Sequence, residues 1–429
     1  MKYFRDEFDS FLDLNKDEND TLIKLRKKSF ENFMETGLPT SKWEDWQFTN
    51  FSSLNAGDFR LSSPNDVIKP PGIVPGQIPH SHLLLIINGH YQPGLSKLPK
   101  NVTISSGADH YFSHPEFYSH KNMESKWSKG LNPFYSLNTS MMNSGICVQV
   151  EENTVLSNPI QIIYLTTAIQ NEIMNHPRFV FELGNNSKAT FVEHYIGSTP
   201  IGYFNNCVTL VELGQNSFMD HIRIQEETSG SHHVANSFYG LSQGSTLNVN
   251  NTSIGSSLYR HNINLKFCDA NSSANYNALS LVDNEQHHDQ RIIVEHSSDS
   301  CQSNQLFKYI LSDESSGVFN GKVIVEEHTR QTDANQSNKN LVLSPSALMN
   351  ANPQLEIYAE DVKCSHGSTT GQIDPEALFY LKSRGLSHKK SMELIMNGFI
   401  SDISELVNDK HISEYLNKIA SQQLQKIMK

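Results

Sequence analysis

Near the C-terminal end of the sequence, Cys364 and His366 stand two residues apart in the run Leu355-Glu356-Ile357-Tyr358-Ala359-Glu360-Asp361-Val362-Lys363-Cys364-Ser365-His366-Gly367. Residues two apart on a β-strand share a face, so a thiolate and an imidazole would point the same way, a donor pair suited to iron or zinc. Two ligands do not complete a site, and a small buried cysteine beside a hydrogen-bonded histidine uses the same letters. Both readings stay open. So does the direction of the pair. Leu355, Ile357 and Ala359 put the apolar face on odd numbers, which turns Cys364 and His366 outward in a straight strand, but Asp361 and Lys363 break that register.

Other stretches with chemical potential read as structure. Gly240-Leu241-Ser242-Gln243-Gly244 has the letters of a nucleophile elbow, which needs a strand before it and a helix after it, whereas strand-like sequence lies on both sides. Gly317-Val318-Phe319-Asn320-Gly321-Lys322-Val323 is one residue short of a P-loop and has no Ser or Thr after the lysine. Among 19 histidines, His232-His233, His287-His288, His296 and His328 offer ligand-type side chains without an H-E-x-x-H motif; they read as hydrogen-bonded surface or groove residues. Glu326-Glu327 and Glu356 with Glu360 are the acid pairs a carbohydrate-cleaving groove would need, yet acids alternating along a strand usually form its wet face.

The elements that would position these residues change along the chain. Leu22, Ile23, Leu25, Phe30, Phe33 and Met34 fall within half a helical wheel, with Asp20 as the cap and Gly37 and Pro39 as the stop. From about residue 145, runs such as Arg178-Phe179-Val180-Phe181-Glu182 and Cys207-Val208-Thr209-Leu210-Val211 are strand-like. Their turns repeat: Leu183-Gly184-Asn185-Asn186-Ser187, Leu213-Gly214-Gln215-Asn216-Ser217 and Leu241-Ser242-Gln243-Gly244-Ser245 lie 30 and 28 residues apart, with Leu311-Ser312-Asp313-Glu314-Ser315 a looser echo. A period of that size is the signature of a stacked β-solenoid, because one coil cannot bury its apolar face alone; a β-sandwich would place strands at shorter intervals without the longer repeat. After residue 372 the helical period returns. Asp374-Pro375-Glu376 starts a helix that Gly385 closes, Ser387 caps one running to Gly398, and Ser413 begins a third. The expected division is a helical region over 1–100, a β-helix core over 101–372 and a helical region over 373–429.

Composition narrows the function. The 429 residues carry 46 acidic against 34 basic side chains, a net charge of -12, which repels nucleic acid. Five scattered cysteines, Cys147, Cys207, Cys268, Cys301 and Cys364, form no C-x-x-C pair and no disulfide framework. With a charged N-terminus and no long apolar window, the chain reads as soluble and cytoplasmic, without membrane contact.

Taken in order, Pro353-Gln354-Leu355-Glu356-Ile357-Tyr358, Asp361-Val362-Lys363-Cys364-Ser365-His366-Gly367, Phe379-Tyr380-Leu381 and Ser383-Arg384-Gly385 closely resemble the SufB/SufD family of iron-sulfur cluster assembly proteins. Phe319-Asn320-Gly321-Lys322-Val323, Gln331-Thr332, Gln336, Asn340-Leu341-Val342-Leu343 and Glu44-Asp45-Trp46 extend the likeness, and the Val-Lys-Cys-Ser-His-Gly form is most like SufD. The resemblance implies a parallel, right-handed β-helix flanked by helical regions, and a non-catalytic scaffold. It implies pairing with a SufB-like chain through the β-helix and docking of the SufC ATPase through the C-terminal helices, where Phe379, Tyr380, Arg384 and Gly385 are the partner-binding candidates. Cys364 and His366 would then handle iron or a transient Fe-S cluster at the SufB interface, with none bound by this chain alone. Two other readings stand beside it: a carbohydrate-active solenoid enzyme, and a self-sufficient SufB-like homodimer when the chain is isolated.

Overall fold

The computed structural model describes residues 1–68, 72–114, 132–142, 144–167, 172–199 and 201–428. The chain winds into a parallel β-solenoid in which each coil gives one strand to each of two facing sheets. In the first sheet Tyr203–Leu213, His232–Leu241, Leu258–Phe267, His287–His296, Ser316–Val325 and Leu348–Ile357 follow one another. In the second, Lys188–Gly197, Phe218–Glu226, Thr246–Ile254, Ser273–Val282, Gln302–Leu311, Thr332–Val342 and Val362–Gly371 do the same. Register is held coil to coil, so that Phe179, Thr209, Ser237, Ile263, Ile292 and Gly321 form one inward column.

The repeated turns make this possible. Asn186, Asn216 and Gly244 all take a positive φ, which Asn and Gly tolerate best, and Ser187, Ser217 and Ser245 close each turn onto the carbonyl three residues back at 2.7, 2.8 and 2.6 Å. Leu311–Ser315 is not a fourth member of this column. It joins a second-sheet strand to a first-sheet strand, so it sits at the opposite corner of the coil, stacked on the turn where Asn284 N–H donates to Asp313. The same left-handed residue solves the same bend at both corners, which is why the letters recur.

The inner faces of both sheets bury a continuous apolar core, including Phe181, Phe191, Tyr239, Tyr276, Phe307 and Phe319. A polar ladder runs along the outside of the second sheet: Asp220, Asn248, Asn275, Asn304, Asn335 and Ser365 hydrogen-bond in succession over 2.6–3.4 Å. Such amide ladders satisfy side chains that identical register brings face to face.

Helices cover the two outer faces. On the first sheet lie α1 (Lys2–Leu14), α2 (Asp20–Thr36), α3 (Ser52–Ala56), α4 (Gly107–Ser113) and α5 (Pro133–Met141). Phe4, Phe8, Phe30, Phe33, Trp46 and Phe134 pack on Met174, Phe204, Val234 and Leu258 of that sheet. The Glu44-Asp45-Trp46 segment pins this layer down. The Arg260 guanidinium lies 4.2 Å over the Trp46 ring, and Arg291 pairs with Asp45 at 2.6 Å. The cap of α2 is Asn19, which accepts from Thr21 N–H at 2.9 Å, and not Asp20, whose carboxylate lies in the first turn.

At the other end of the chain come α6 (Pro375–Ser383), α7 (His388–Ser404) and α8 (Lys410–Ile427). Met396, Ile400, Ile403, Ile412, Leu416 and Leu424 from α7 and α8 pack on Val192, Ile222, Ile254, Leu279 and Ile310 of the second sheet. Lys308 anchors the contact, donating to the Phe399 carbonyl at 2.7 Å and pairing with Asp402. Two sequence expectations are corrected here. The apolar stripe continues past Gly398, so α7 ends at Ser404; and α8 is capped by Asp409, which accepts from Ile412 N–H at 3.0 Å, with Ser413 already inside the helix. Among the described residues, no helix is long and apolar enough to cross a membrane.

Candidate functional site at the open end of the solenoid

The coil formed by Leu348–Ile357 and Val362–Gly371 is the last in both sheets, and each strand pairs on one side only. Ten-residue strands with a free edge present a row of unpaired N–H and C=O groups, which solenoids normally cap and sheets normally shorten or charge. The first coils contrast with this. Val102–Ser106 lies antiparallel on Ser144–Val150, and His90–Tyr91 turns antiparallel onto His82–Ile87. Large apolar side chains crowd the open end: Leu348 is 62% exposed, Tyr358 59%, and Ile357 joins them.

Cys364 and His366 both lie on this terminal coil, and their direction is settled. The chain bends at Tyr358–Asp361 and enters the second sheet, so the odd-numbered apolar parity of Leu355 does not carry over. Cys364 stacks on the fully buried Ala334 and packs against the interior core, while His366 stacks on the buried Gln336, whose amide donates to Gln305 at 2.9 Å. The pair therefore lines the inner face at the mouth of the solenoid, with Cys364 half-buried and His366 exposed. Their Cα atoms are roughly 6.6 Å apart along the strand, so one ion can reach both only by convergence of the side chains. Burial, with Asp333 nearby, pushes the Cys364 thiol up, which favours its protonated form.

Phe379 and Tyr380 follow on α6, which begins just beyond the last strand and has no buried residue, with Arg384 as its C-terminal cap and Gly385 next. Phe379 is 74% exposed and Tyr380 56%. The Arg384 guanidinium lies 5.2 Å from the Tyr380 ring, and Gly385, at φ 91°, ends the helix. A projecting aromatic pair with a neighbouring arginine is the composition of a protein-binding hot spot. The mouth and α6 are thus consecutive along the chain and both uncovered.

The acid pairs do not form a cleft. Glu356 is paired with Lys322 at 2.8 Å, and Glu326, Glu327 and Glu360 are exposed in turns. Several histidines depart from the expectation of surface or groove residues. His233, His288 and His296 are fully buried, as are His221 and His261, because they stand on the inward parity of their strands. His232 and His287 face the N-terminal layer, bonded to Ser53 at 2.9 Å and Thr49 at 3.1 Å, and His328 is exposed.

Inside the coils a hydrogen-bonded chain runs from Glu193 through Arg223 (2.9 Å), Ser237 (3.1 Å), His261 (2.9 Å) and Tyr259 (3.2 Å) to Asn251 (3.2 Å) and Gln290 (2.9 Å). Burial works against the Glu193 carboxylate, but the Arg223 guanidinium and the His221 hydrogen bond hold it down to about 2. The signal was present in the sequence: Glu193 shares its parity with Phe191 and Tyr195, an apolar face.

Comparison with known proteins gives the family. A model described as the SUF system FeS cluster assembly SufBD core domain matches residues 164–399, and the SufBD protein N-terminal region matches residues 2–162. The chain belongs to the SufBD family. Among its relatives, an iron-sulfur cluster assembly SufBD family protein of Synechocystis is 30% identical over 404 residues, covering 91% of this chain and 88% of its own. The iron-sulfur cluster assembly protein SufD of Escherichia coli is 28% identical over 390 residues, 90% of each chain, and that of Bacillus subtilis is 23% identical over 406 residues, 89% of each. Within the SufBD family this chain is SufD-like, and the core match spans the open coil and α6.

Proposed function

We propose that this chain is a non-catalytic scaffold subunit of an iron-sulfur cluster assembly complex, pairing with a SufB-like chain through the open coil and docking the SufC ATPase through its C-terminal helices. What carries the reading is the uncapped end: two free ten-residue strand edges, beside exposed Leu348 and Tyr358, suit completion by the edge strands of a partner solenoid. Cys364 and His366 then face that partner and supply two ligands to iron or a transient cluster, the partner supplying the rest; thiolate and imidazole both serve iron-sulfur centres. Phe379 and Tyr380 serve as the SufC anchor, and closure of SufC on ATP would pull on α6 and shift the adjoining interface. In the absence of its partner, the same edges would pair two copies of this chain.

The test is anaerobic co-expression of a tagged copy with SufB-like and SufC chains, followed by size-exclusion chromatography and iron analysis. A ternary complex carrying iron is expected. Phe379→Ala with Tyr380→Ala should lose SufC and keep the SufB-like chain, while His366→Ala should keep both and hold less iron. A lone, iron-free protein would overturn the scaffold reading, and parental iron in His366→Ala would overturn the site.

A further inference from the structure

Far from the open end, on an early coil, the outer face of the first sheet gathers three ligand-type side chains. His110 lies on α4, His114 is the residue that caps the C-terminus of α4, and Glu182 projects from the strand Pro177–Leu183 beneath. Their donor atoms all lie within 4.8 Å of one another, and His110 Nε2 is 3.3 Å from Glu182 Oε1. Among the described residues this is the group of three histidine, cysteine or carboxylate ligands that comes together.

Local structure fixes each member. The i, i+4 spacing sets the two imidazoles on one side of the helix, with ring centroids 4.7 Å apart and planes within 18° of parallel. Gly107 and Gly145 seat the start of α4 directly on the strand Ser144–Val150: a Cβ on Gly107 would come 2.7 Å from the Gly145 Cα. That close approach lowers the helix until His110 is only 2% exposed over Glu182. Gln149, the register partner of Glu182, donates its amide to the second carboxylate oxygen, the kind of outer hydrogen bond that orients a metal-binding carboxylate. Glu212 stands next to Glu182 in the same sheet, adding negative charge to the floor.

We propose that His110, His114 and Glu182 form a binding site for a divalent first-row transition-metal ion, with a fourth position left for water or an incoming ligand. Two imidazoles and one carboxylate are the donor set that suits zinc or ferrous iron. Ligand distances of about 2.0–2.2 Å place neighbouring donors about 3.4 Å apart around a tetrahedral ion, a spacing that His110 and Glu182 already have. The His114 donor lies within 4.8 Å of both. The site uses none of the residues assigned to partner binding.

The experiment uses the full chain, freed of its affinity tag and stripped with a chelator. It is titrated with Zn²⁺ and, anaerobically, with Fe²⁺, and Co²⁺ serves as a visible-absorption probe. One equivalent of tight binding is expected, with the affinity falling at least tenfold and the Co²⁺ bands lost in Glu182→Gln and in His114→Ala, while His328→Ala, at an exposed turn, binds as the parent does. Glu182→Gln keeps the shape of the side chain, and circular dichroism verifies its fold. The ion bound more tightly names the occupant. Parental binding in both variants, or no stoichiometric binding by the parent, would overturn the site; since the titration contains no partner chain, neither result bears on the scaffold role.

Discussion

Glu193 allows the interior of the solenoid to be tested quantitatively. Its carboxylate is 1% exposed and accepts from Thr209 at 3.0 and 3.2 Å, from Tyr195, from His221 at 3.1 Å, and from Arg223 at 2.9 Å. Glu193→Gln preserves the volume, removes the charge and turns an amide N–H toward groups that are themselves donors. Arg223 is then left buried without its counter-ion, a change that typically costs about 3–5 kcal/mol. The pH dependence follows from the depressed carboxyl. A folded-state pKa of about 2, against an ordinary 4.5, means stability that is fully present above about pH 4.5 and lost as the pH falls toward 2. At about 1.36 kcal/mol per pKa unit the whole contribution is about 3 kcal/mol, of which roughly 2 kcal/mol is gone at pH 3. Urea unfolding followed by near-ultraviolet circular dichroism, on the parent and on Glu193→Gln between pH 7 and pH 3, reads this directly. The gap between the two proteins should narrow by about 2 kcal/mol over that range. A gap independent of pH, or a variant as stable as the parent at pH 7, would mean that the buried Glu193 carboxylate does not stabilise the fold.

Two further outcomes follow from packing. Phe307 is fully buried, with its ring centroid 5.5 Å from that of Tyr276 and 4.6 Å from that of Phe319, so Phe307→Ala should cost about 3–5 kcal/mol by denaturant unfolding. Gly398 lies inside α7 with nothing within 4 Å of where a Cβ would stand, so Gly398→Ala should stabilise the docked C-terminal helices by up to about 1 kcal/mol, seen as slower amide exchange in α7.

The solenoid was legible because its turns are written in the sequence: Asn186, Asn216 and Gly244 recur at the left-handed position that each corner requires. The same chemistry blurred the corners, since Asp313 bends the chain at the opposite one by the same means. Helix α1 is hard to read in the sequence because charges crowd it, although Phe4, Phe8 and Phe11 form a buried stripe at helical spacing. The direction of Cys364 and His366 depended on where one strand stopped and the next began, and parity arguments fail across a bend. The burial of the interior histidines is illegible for a related reason. Which parity faces inward is fixed by the coil as a whole, and inside it His221 is bonded by Tyr239 and Glu193, and His261 by Ser237 and Tyr259. His110 and His114 are not legible as neighbours of Glu182 because 68 positions lie from His114 to Glu182, and only the seating of α4 on the first sheet brings them together.

The claim that the open coil is a docking edge is tested most directly by hydrogen–deuterium exchange of this chain alone and with a SufB-like chain added. New protection is expected across Leu348–Ile357 and Val362–Gly371, whose outer edges are free in the single chain, with the N-terminal helices unchanged. Protection confined to α1 and α2, or none on the terminal strands despite complex formation, would contradict it.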